Sequence, residues 1–398
     1  MSLSRRGFIR SVGGREAGHR TAVMLAARGR EAMVGENWPY TTEAAAVPPG
    51  DNEIRISSNE NPLGPGQAAI DAMTGQFPQA GRYSFNSKPG IGDLMGTIAQ
   101  KWGVKPENVT VGAGSGELLR NGVRAWTSAA KPLVTGQCSY ESPFRTAEQI
   151  GTPVKYLPMT ADLKLDLEAM AAAATGAGLV FICNPNNPTA TANGIQAVSD
   201  LVGKIRKASP DTAILIDEAY YDYVTDPSYK TAVPLAMENP NVFVTRTFSK
   251  AYGMAGLRMG YAIGQAATIK ELGRWGMTPF NMNTLGLAAA VASLNDQAHI
   301  DQERARNTAV REFTIKTFAD LGFKATDAQT NFVFVNIKRP AREFRDACKQ
   351  NGVQVGRDFP PFEKTHARVS IGTMDEMQKA AEVFKKVLAA TSITAAAR

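Results

Sequence analysis

An α/β architecture is what this sequence predicts, with a large layered domain followed by a smaller α+β domain. Three observations lead there. Short apolar runs ending in polar residues alternate with helical patterns between residues 108 and 250. After residue 285 the pattern changes to long helical stretches separated by two apolar runs. The chain's 398 residues also exceed what a single hydrophobic core usually organises.

Taken in order, the chain opens with "MSLSRRGFIR", whose paired Arg5 and Arg6 resemble a twin-arginine export signal. The stretch that follows is interrupted by Arg15, Glu16, His19 and Arg20, leaving only "TAVMLAA" as an apolar segment. Two localisations therefore stay open: cytoplasmic, with residues 1–50 an N-terminal extension, or exported to the periplasm through that signal. "AAAVPPGDNE" (44–53) reads as a Pro/Gly linker, so the folded body begins near residue 51.

Within the body, "NVTVGAGSGELLRNGVRAW" (108–126) reads as strand, glycine turn and helix. Further strands are expected in "GLVFICNPNNPT" (178–189), "AILIDEAYYDYV" (213–224) and "NVFVTRTFSK" (241–250), and a helix running into a turn in "EAMAAAATGAG". The tail offers helices in "LGLAAAVASL" and "IDQERARNTAVREFTIKTFADLGF", then strand "NFVFVNI", a helix, strand "ARVSIGT" and a closing helix. In layered sheets of this kind ligands collect at the carboxyl ends of strands, where the polar residues of these runs fall.

Composition narrows the partners. Hydrophobic residues at 43% and charged residues at 20% are ordinary for a globular protein, and no apolar run reaches membrane-spanning length, so membrane insertion is not expected. The net charge is +7, of which residues 1–50 contribute +3 from seven Arg and four Glu. Without a Lys/Arg-rich block this suits an anionic small ligand, or simply a slightly basic surface, rather than nucleic acid. Cys138, Cys183 and Cys348 are far apart and accompany only three histidines, so neither a metal site nor a disulfide framework is expected and each cysteine reads as a buried small hydrophobe.

Three stretches carry chemistry. "GAGSGELL" (112–119) is a glycine-rich strand-to-helix turn, either a phosphate cradle of backbone N–H groups with the Ser115 hydroxyl or only a tight turn. "LIDEAYYDYV" ends an apolar strand with Asp217, either a helix cap or a buried carboxylate that keeps a heterocyclic nitrogen protonated; Tyr220 either reaches the same ring or packs. In "RTFSKAYGMAGLRMGY" (246–261), Lys250 sits at a strand end among small residues. Poor hydration there lowers its pKa and leaves a nucleophilic amine. Ser249 and Arg258 flank it with phosphate-binding groups. A lysine, a pyridine-directed acid and a phosphate cradle together describe a site for pyridoxal 5′-phosphate.

These residues also carry a resemblance. "ISSNENPLGP" (56–65), "GAGSGELL", "NPNNPT" (184–189), "DEAYYDY", "RTFSKAYGMAGLRMGY", "TNFVFVN" (330–336) and "ARVSIGT" (367–373) occur in the order and approximate spacing of the fold-type I, class II aminotransferases. The chain resembles most closely the histidinol-phosphate aminotransferase family, over roughly residues 53–390. The resemblance implies an aspartate-aminotransferase-like fold, with a mostly parallel seven-stranded sheet between helices. Residues 51–75 would be an arm contributing to the small domain, 76–284 the large cofactor domain and 285–398 the small domain.

Residue by residue, the resemblance implies that Lys250 holds the cofactor and then moves the proton, that Asp217 pairs with the ring nitrogen, and that Asn187 and Tyr220 contact the ring hydroxyl. Tyr140 would stack on the ring. Ser115, Gly116, Ser249 and Arg258 would hold the phosphate, joined by Tyr83 from the other subunit of a homodimer. Arg368 would clamp the substrate α-carboxylate, Asn59 would lie in the segment closing over it, and Arg357 would hold a substrate phosphate. The implied activity is transamination between a small amino donor, histidinol phosphate foremost, and a 2-oxo acid, with 2-oxoglutarate and glutamate as the second pair. Alternatives are an aromatic or other amino-acid donor, a decarboxylase or lyase on the same scaffold, or a non-catalytic regulator. The chain departs from the family at Gly116, where an acid is usual, at "QCS" before Tyr140, at Ala190 and at "RYSFN".

Overall fold

The computed structural model describes residues 53–276 and 281–395. The twin-arginine stretch and the linker up to Asn52 lie outside these residues. All of the described chain falls in one compact unit, Gly50–Arg398.

Twelve strands and twelve α-helices make up its described residues. The strands are β1 (Ile54–Ile56), β2 (Val109–Ala113), β3 (Leu133–Gly136), β4 (Val154–Leu157), β5 (Leu179–Cys183), β6 (Ala213–Asp217), β7 (Val242–Thr247), β8 (Met259–Gly264), β9 (Lys324–Ala325), β10 (Phe332–Asn336), β11 (Val353–Val355) and β12 (His366–Ser370). The helices are α1 (Gln67–Gln76), α2 (Ile91–Trp102), α3 (Ser115–Trp126), α4 (Ser142–Gln149), α5 (Leu167–Ala173), α6 (Ile195–Ala208), α7 (Val233–Glu238), α8 (Ala266–Gly273), α9 (Thr284–Leu294), α10 (Gln297–Asp320), α11 (Ala341–Gln350) and α12 (Met374–Ala395).

Seven strands form one sheet in the order β2-β8-β7-β6-β5-β3-β4. All run parallel except β8, which is antiparallel to both β2 and β7. Every residue of β5, β6 and β7 is buried. Their near-continuous apolar sequence is what a strand covered on both faces needs. Because side chains alternate across a strand, Val180, Ile182, Ile214, Ile216 and Val244 face one core while Leu179, Phe181, Leu215 and Phe243 face the other. The three cysteines are all buried free thiols. Among the described residues no helix is long and apolar enough to cross a membrane.

A three-stranded antiparallel sheet, β12-β10-β9, opposes Phe334 to Arg368. A two-stranded parallel pair joins β1 to β11, with Ile54 opposite Val353. This last pair has no counterpart in the sequence reading: each strand is three residues long and its partner lies about 300 positions away, beyond any local periodicity. It carries residues 57–61 back over the strand ends of the large sheet.

Below that edge lies a buried ion pair. Arg246 on β7 donates from Nη2 to Glu218 at 2.6 Å, and its guanidinium is stacked between the rings of Trp102 and Tyr221 at 4.0 and 3.6 Å. Glu218 also accepts from the Ala232 amide at 2.6 Å and the Thr231 hydroxyl at 2.9 Å. Three donors thus converge on the residue next to Asp217. Removing one member of such a pair leaves the other charge buried and uncompensated. Glu218→Ala is expected to cost about 3–5 kcal/mol in urea unfolding; a loss below about 1 kcal/mol would show that the aromatic sandwich alone carries Arg246.

Candidate active site

The parallel strands end at a common edge, and the loops leaving them supply the polar residues singled out in the sequence. Asp217 is the last residue of β6, Lys250 follows β7, Ser115 opens α3, Asn187 lies in the loop after β5 and Arg258 immediately precedes β8.

Asp217 is only 2% exposed. Its Oδ1 accepts from the Thr245 hydroxyl at 2.8 Å, and among the described residues it makes no ion pair. Burial pushes its carboxyl up to about 7. Thr245 was not legible as a partner, because only the β6–β7 register sets it opposite Asp217.

Lys250 donates from Nζ to the carbonyl oxygens of Asn59 at 3.0 Å and Ser58 at 3.5 Å, and stands 5.7 Å from the Tyr220 ring centre. Burial, followed by the Arg368 guanidinium, pushes its ammonium down to about 8. An amine in that range is available unprotonated near neutrality.

Asn59 ties the overlying segment to three elements. Its Nδ2 donates to the Tyr220 hydroxyl at 3.2 Å, its amide donates to Ser370 Oγ at 2.9 Å, and Ser370 Oγ donates to its Oδ1 at 2.7 Å. Its carbonyl accepts from Asn331 Nδ2 at 3.0 Å as well as from Lys250. Asn59 has φ +56°, a left-handed conformation that asparagine tolerates better than most residues. Tyr220 is buried, packed edge-on against Phe332 at 5.1 Å, and burial raises its phenol well above the usual range.

Arg368, on β12, reaches across from the small sheet. Its Nη1 donates to Asn187 Oδ1 at 2.8 Å and its Nη2 to the Ser57 carbonyl at 2.7 Å. Nε is buried without a partner among the described residues, and burial pushes the guanidinium down to about 10. An unsatisfied donor on a buried cation is a strong attractor for a carboxylate.

The glycine turn forms a cradle. Gly114 has φ +74°, and a Cβ there would lie 2.5 Å from Arg258 Nη2; a Cβ on Gly260 would lie 2.3 Å from the Ser115 amide nitrogen. The guanidinium therefore rests directly on the turn that presents the α3 N-terminus, and glycine is required on both sides. Arg258 Nη1 donates to Ser249 Oγ at 3.4 Å. Gly116 lies in the first turn of α3, with Arg120 Nη1 3.5 Å from where its Cβ would be. A helix N-terminus, a guanidinium and two hydroxyls suit a phosphate dianion. Together with a buried acid lacking a cation and an amine of lowered basicity, this donor set fits pyridoxal 5′-phosphate.

Of three further expected residues, Tyr140 and Arg357 flank this cluster beside Arg368 and Tyr83 is exposed. Tyr140 is half-buried in the turn between β3 and α4. Arg357 is ion-paired through Nη2 with Glu141 Oε1 and lies 4.4 Å over the Phe359 ring. Tyr83 is 70% exposed and stacks on Phe85 at 5.9 Å. Ser370, Asn331, Thr245 and Glu141 complete the arrangement without having been singled out from sequence; Asn331 and Ser370 lie inside the quoted stretches "TNFVFVN" and "ARVSIGT", but nothing local marks them as site residues.

The Asp217 environment yields a pH signature. With its folded value raised from 3.8 to about 7, the neutral carboxyl stabilises the fold below about pH 4, and that contribution is lost as pH rises through 7. In the cofactor-free chain, the stability of the parent protein relative to Asp217→Asn is expected to fall between about pH 4 and pH 7 and then level off. Urea unfolding across that range measures it, and a flat difference would contradict it.

Comparison with known proteins agrees with this geometry. The family model "Aminotransferase class I and II" matches residues 51–384. A histidinol-phosphate aminotransferase of Moorella thermoacetica is 36% identical over 344 residues, spanning 84% of this chain and 86% of the relative. An aromatic amino acid aminotransferase of Thermobifida fusca is 34% identical over 340 residues, spanning 85% and 91%. The crystal structure of the Sinorhizobium meliloti histidinol-phosphate aminotransferase in complex with pyridoxal-5′-phosphate superposes with a TM-score of 0.78 at 28% identity, covering 85% of this chain and 91% of that one. With its seven-stranded sheet, its strand-end lysine and acid, and a family match spanning most of its length, this chain belongs to the class I and II aminotransferases.

Proposed function

We propose that the protein is a pyridoxal 5′-phosphate-dependent transaminase whose amino donor is histidinol phosphate, with 2-oxoglutarate and glutamate as the second pair. The observation that carries the reading is the convergence of the Lys250 amine and the Asp217 carboxyl at the strand edge of the large sheet with an Arg368 guanidinium whose Nε is buried without a partner among the described residues. When bound, pyridoxal phosphate supplies an electron sink for charge developing at the substrate α-carbon. Asp217 would hold a proton on the cofactor's ring nitrogen, and its carboxylate would stay ionised beside that charge in a site that otherwise favours its neutral form. Lys250 Nζ, once free of covalent attachment, takes the α-proton and returns it, a task suited to an amine titrating near neutrality. Arg368 orients a substrate carboxylate, or the polar head that replaces it. Ser115, Gly116, Ser249 and Arg258 anchor the phosphate, Asn187 and Tyr220 hold the ring hydroxyl, Tyr140 covers the ring face, and Asn59 closes the site from above.

The names of the Moorella and Sinorhizobium relatives support the donor assignment. The Glu141–Arg357 pair favours a second reading, an aromatic amino-acid donor such as that named for the Thermobifida relative, because it already satisfies the guanidinium assigned to a substrate phosphate. Tyr83 would serve the phosphate of a second copy in a homodimer. Its exposure, with that of Phe77 and Phe85 nearby in sequence, supports the assignment.

Lys250→Ala is expected to abolish the visible absorbance of the covalently held cofactor and to lower transamination by more than about 10⁴-fold; full activity in that variant would reject the assignment. Following conversion to the amine form of the cofactor with a panel of donors identifies the substrate, and conversion by aromatic amino acids alone would move the reading to the second donor class. Mixing the Lys250→Ala and Tyr83→Ala proteins under subunit exchange is expected to raise activity above both parents, since hybrid dimers then contain one intact site. No gain on mixing would place Tyr83 outside its neighbour's site.

A further inference from the structure

Beside the site lies a cavity of about 400 Å³. It opens between the loop that follows β3 and the loop between β11 and β12. Phe144, Tyr156, Pro188 and Phe359 supply apolar walls, and Glu141, Arg145 and Arg357 supply charge. Its position relative to the carboxylate-binding arginine is set by one ring. The Arg368 guanidinium lies 4.6 Å from the centre of Phe359, and the Arg357 guanidinium lies 4.4 Å from that same centre. Pro188 in its wall is the residue after Asn187, which holds Arg368. A substrate whose carboxylate or polar head meets Arg368 therefore has its side chain directed along Phe359 into this cavity.

The cavity is built for an uncharged ring and, where Phe359 joins it to Arg368, for an anionic head. Its walls suit an aromatic or imidazole ring. Its charges sum to one net positive, but the arginine beside Phe359 is already paired: Arg357 Nη2 donates to Glu141 Oε1 and Nη1 donates to the Asp358 carbonyl at 3.1 Å. The two side chains of the pair are 40% and 23% exposed, and an ion pair so close to solvent is weak. An incoming dianion can thus take Arg357 from Glu141, at the cost of that pair and of repulsion from the displaced carboxylate.

We propose that Glu141 is the specificity-determining residue of this cavity: by occupying Arg357 it leaves a carboxylate head to Arg368 alone and sets the threshold that a phosphate head, which a phosphorylated amino alcohol carries in place of the carboxylate, must overcome. The inference rests on the transaminase reading only in taking the cavity to be where the substrate side chain goes. Glu141 follows Tyr140 and directly precedes α4, so it is held in place by backbone on both sides, and its charge reaches the bound molecule through Arg357.

The test uses the holoenzyme and two probes that lack an amine and cannot react, phenylpropanol and its phosphate monoester, with binding measured by calorimetry. The ratio of the two dissociation constants on one protein is insensitive to the fraction correctly folded. Glu141→Gln is expected to shift the ratio toward the phosphate by about two- to fivefold, the equivalent of losing one exposed ion pair. In an Arg357→Gln background the same Glu141→Gln change is expected to shift the ratio clearly less, by the direct repulsion between carboxylate and phosphate alone, because Glu141 then has no guanidinium to occupy. A shift below about twofold in the first comparison, or an undiminished shift in the second, would overturn the proposal. Failure of the transaminase reading is read separately, as absence of turnover with every amino donor, while the binding ratio still decides the role of Glu141.

Discussion

The burial of charge at the carboxyl edge of the seven-stranded sheet is the constraint on which the rest of this protein depends. A mainly parallel sheet covered on both faces excludes water from its strand ends. Any ionisable side chain placed there must be paired, neutralised or held for a ligand. Glu218 and Arg246 take the first course and are paired with each other inside the protein. Asp217, one residue away, receives only a hydroxyl, and burial raises its carboxyl to about 7. The contrast between adjacent acids marks which of them belongs to the fold and which to the chemistry.

Closing that edge requires a second layer, and the chain supplies it from both ends. The pairing of β1 with β11 brings residues 57–61 over the site, and Asn59 joins them to Tyr220, Ser370, Asn331 and Lys250. Helix α10 braces the far side: Glu303 accepts from Tyr223 and Arg306, and Arg306 Nη1 donates to the Gly372 carbonyl just beyond β12. Arg368 is thereby held on a strand anchored independently of the large sheet. Its reach to Asn187 joins the two sheets through a single hydrogen bond at the point where a substrate would bind.

Much of this was legible in the sequence for physical reasons. The apolar runs of β5, β6 and β7 announce strands buried on both faces, and the polar residues that end them announce the site edge. Glycine at 114 is demanded by a positive φ and by Arg258 packed against it, so the glycine turn and the downstream arginine are two halves of one cradle that sequence order alone separates. Less was legible where partners are distant and the segments short. β1 and β11 have three residues each, and Thr245 becomes the partner of Asp217 only through strand register. Glu141 lies in no motif, yet it decides the state of Arg357.

The sequence by itself determined the inventory of the chemistry: a lysine, an acid, a glycine-rich phosphate turn and a far carboxyl-terminal arginine. Each is tied to a local pattern of strand end, turn or signature that a few neighbouring residues define. Tertiary structure alone decided which of these groups are held in reserve and which are spent on one another. Arg246 is neutralised by Glu218, Arg357 by Glu141, and Arg368 keeps a donor unpaired. The reason is that pairing and desolvation are properties of packing between segments as much as 311 residues apart, and no periodicity along the chain encodes them.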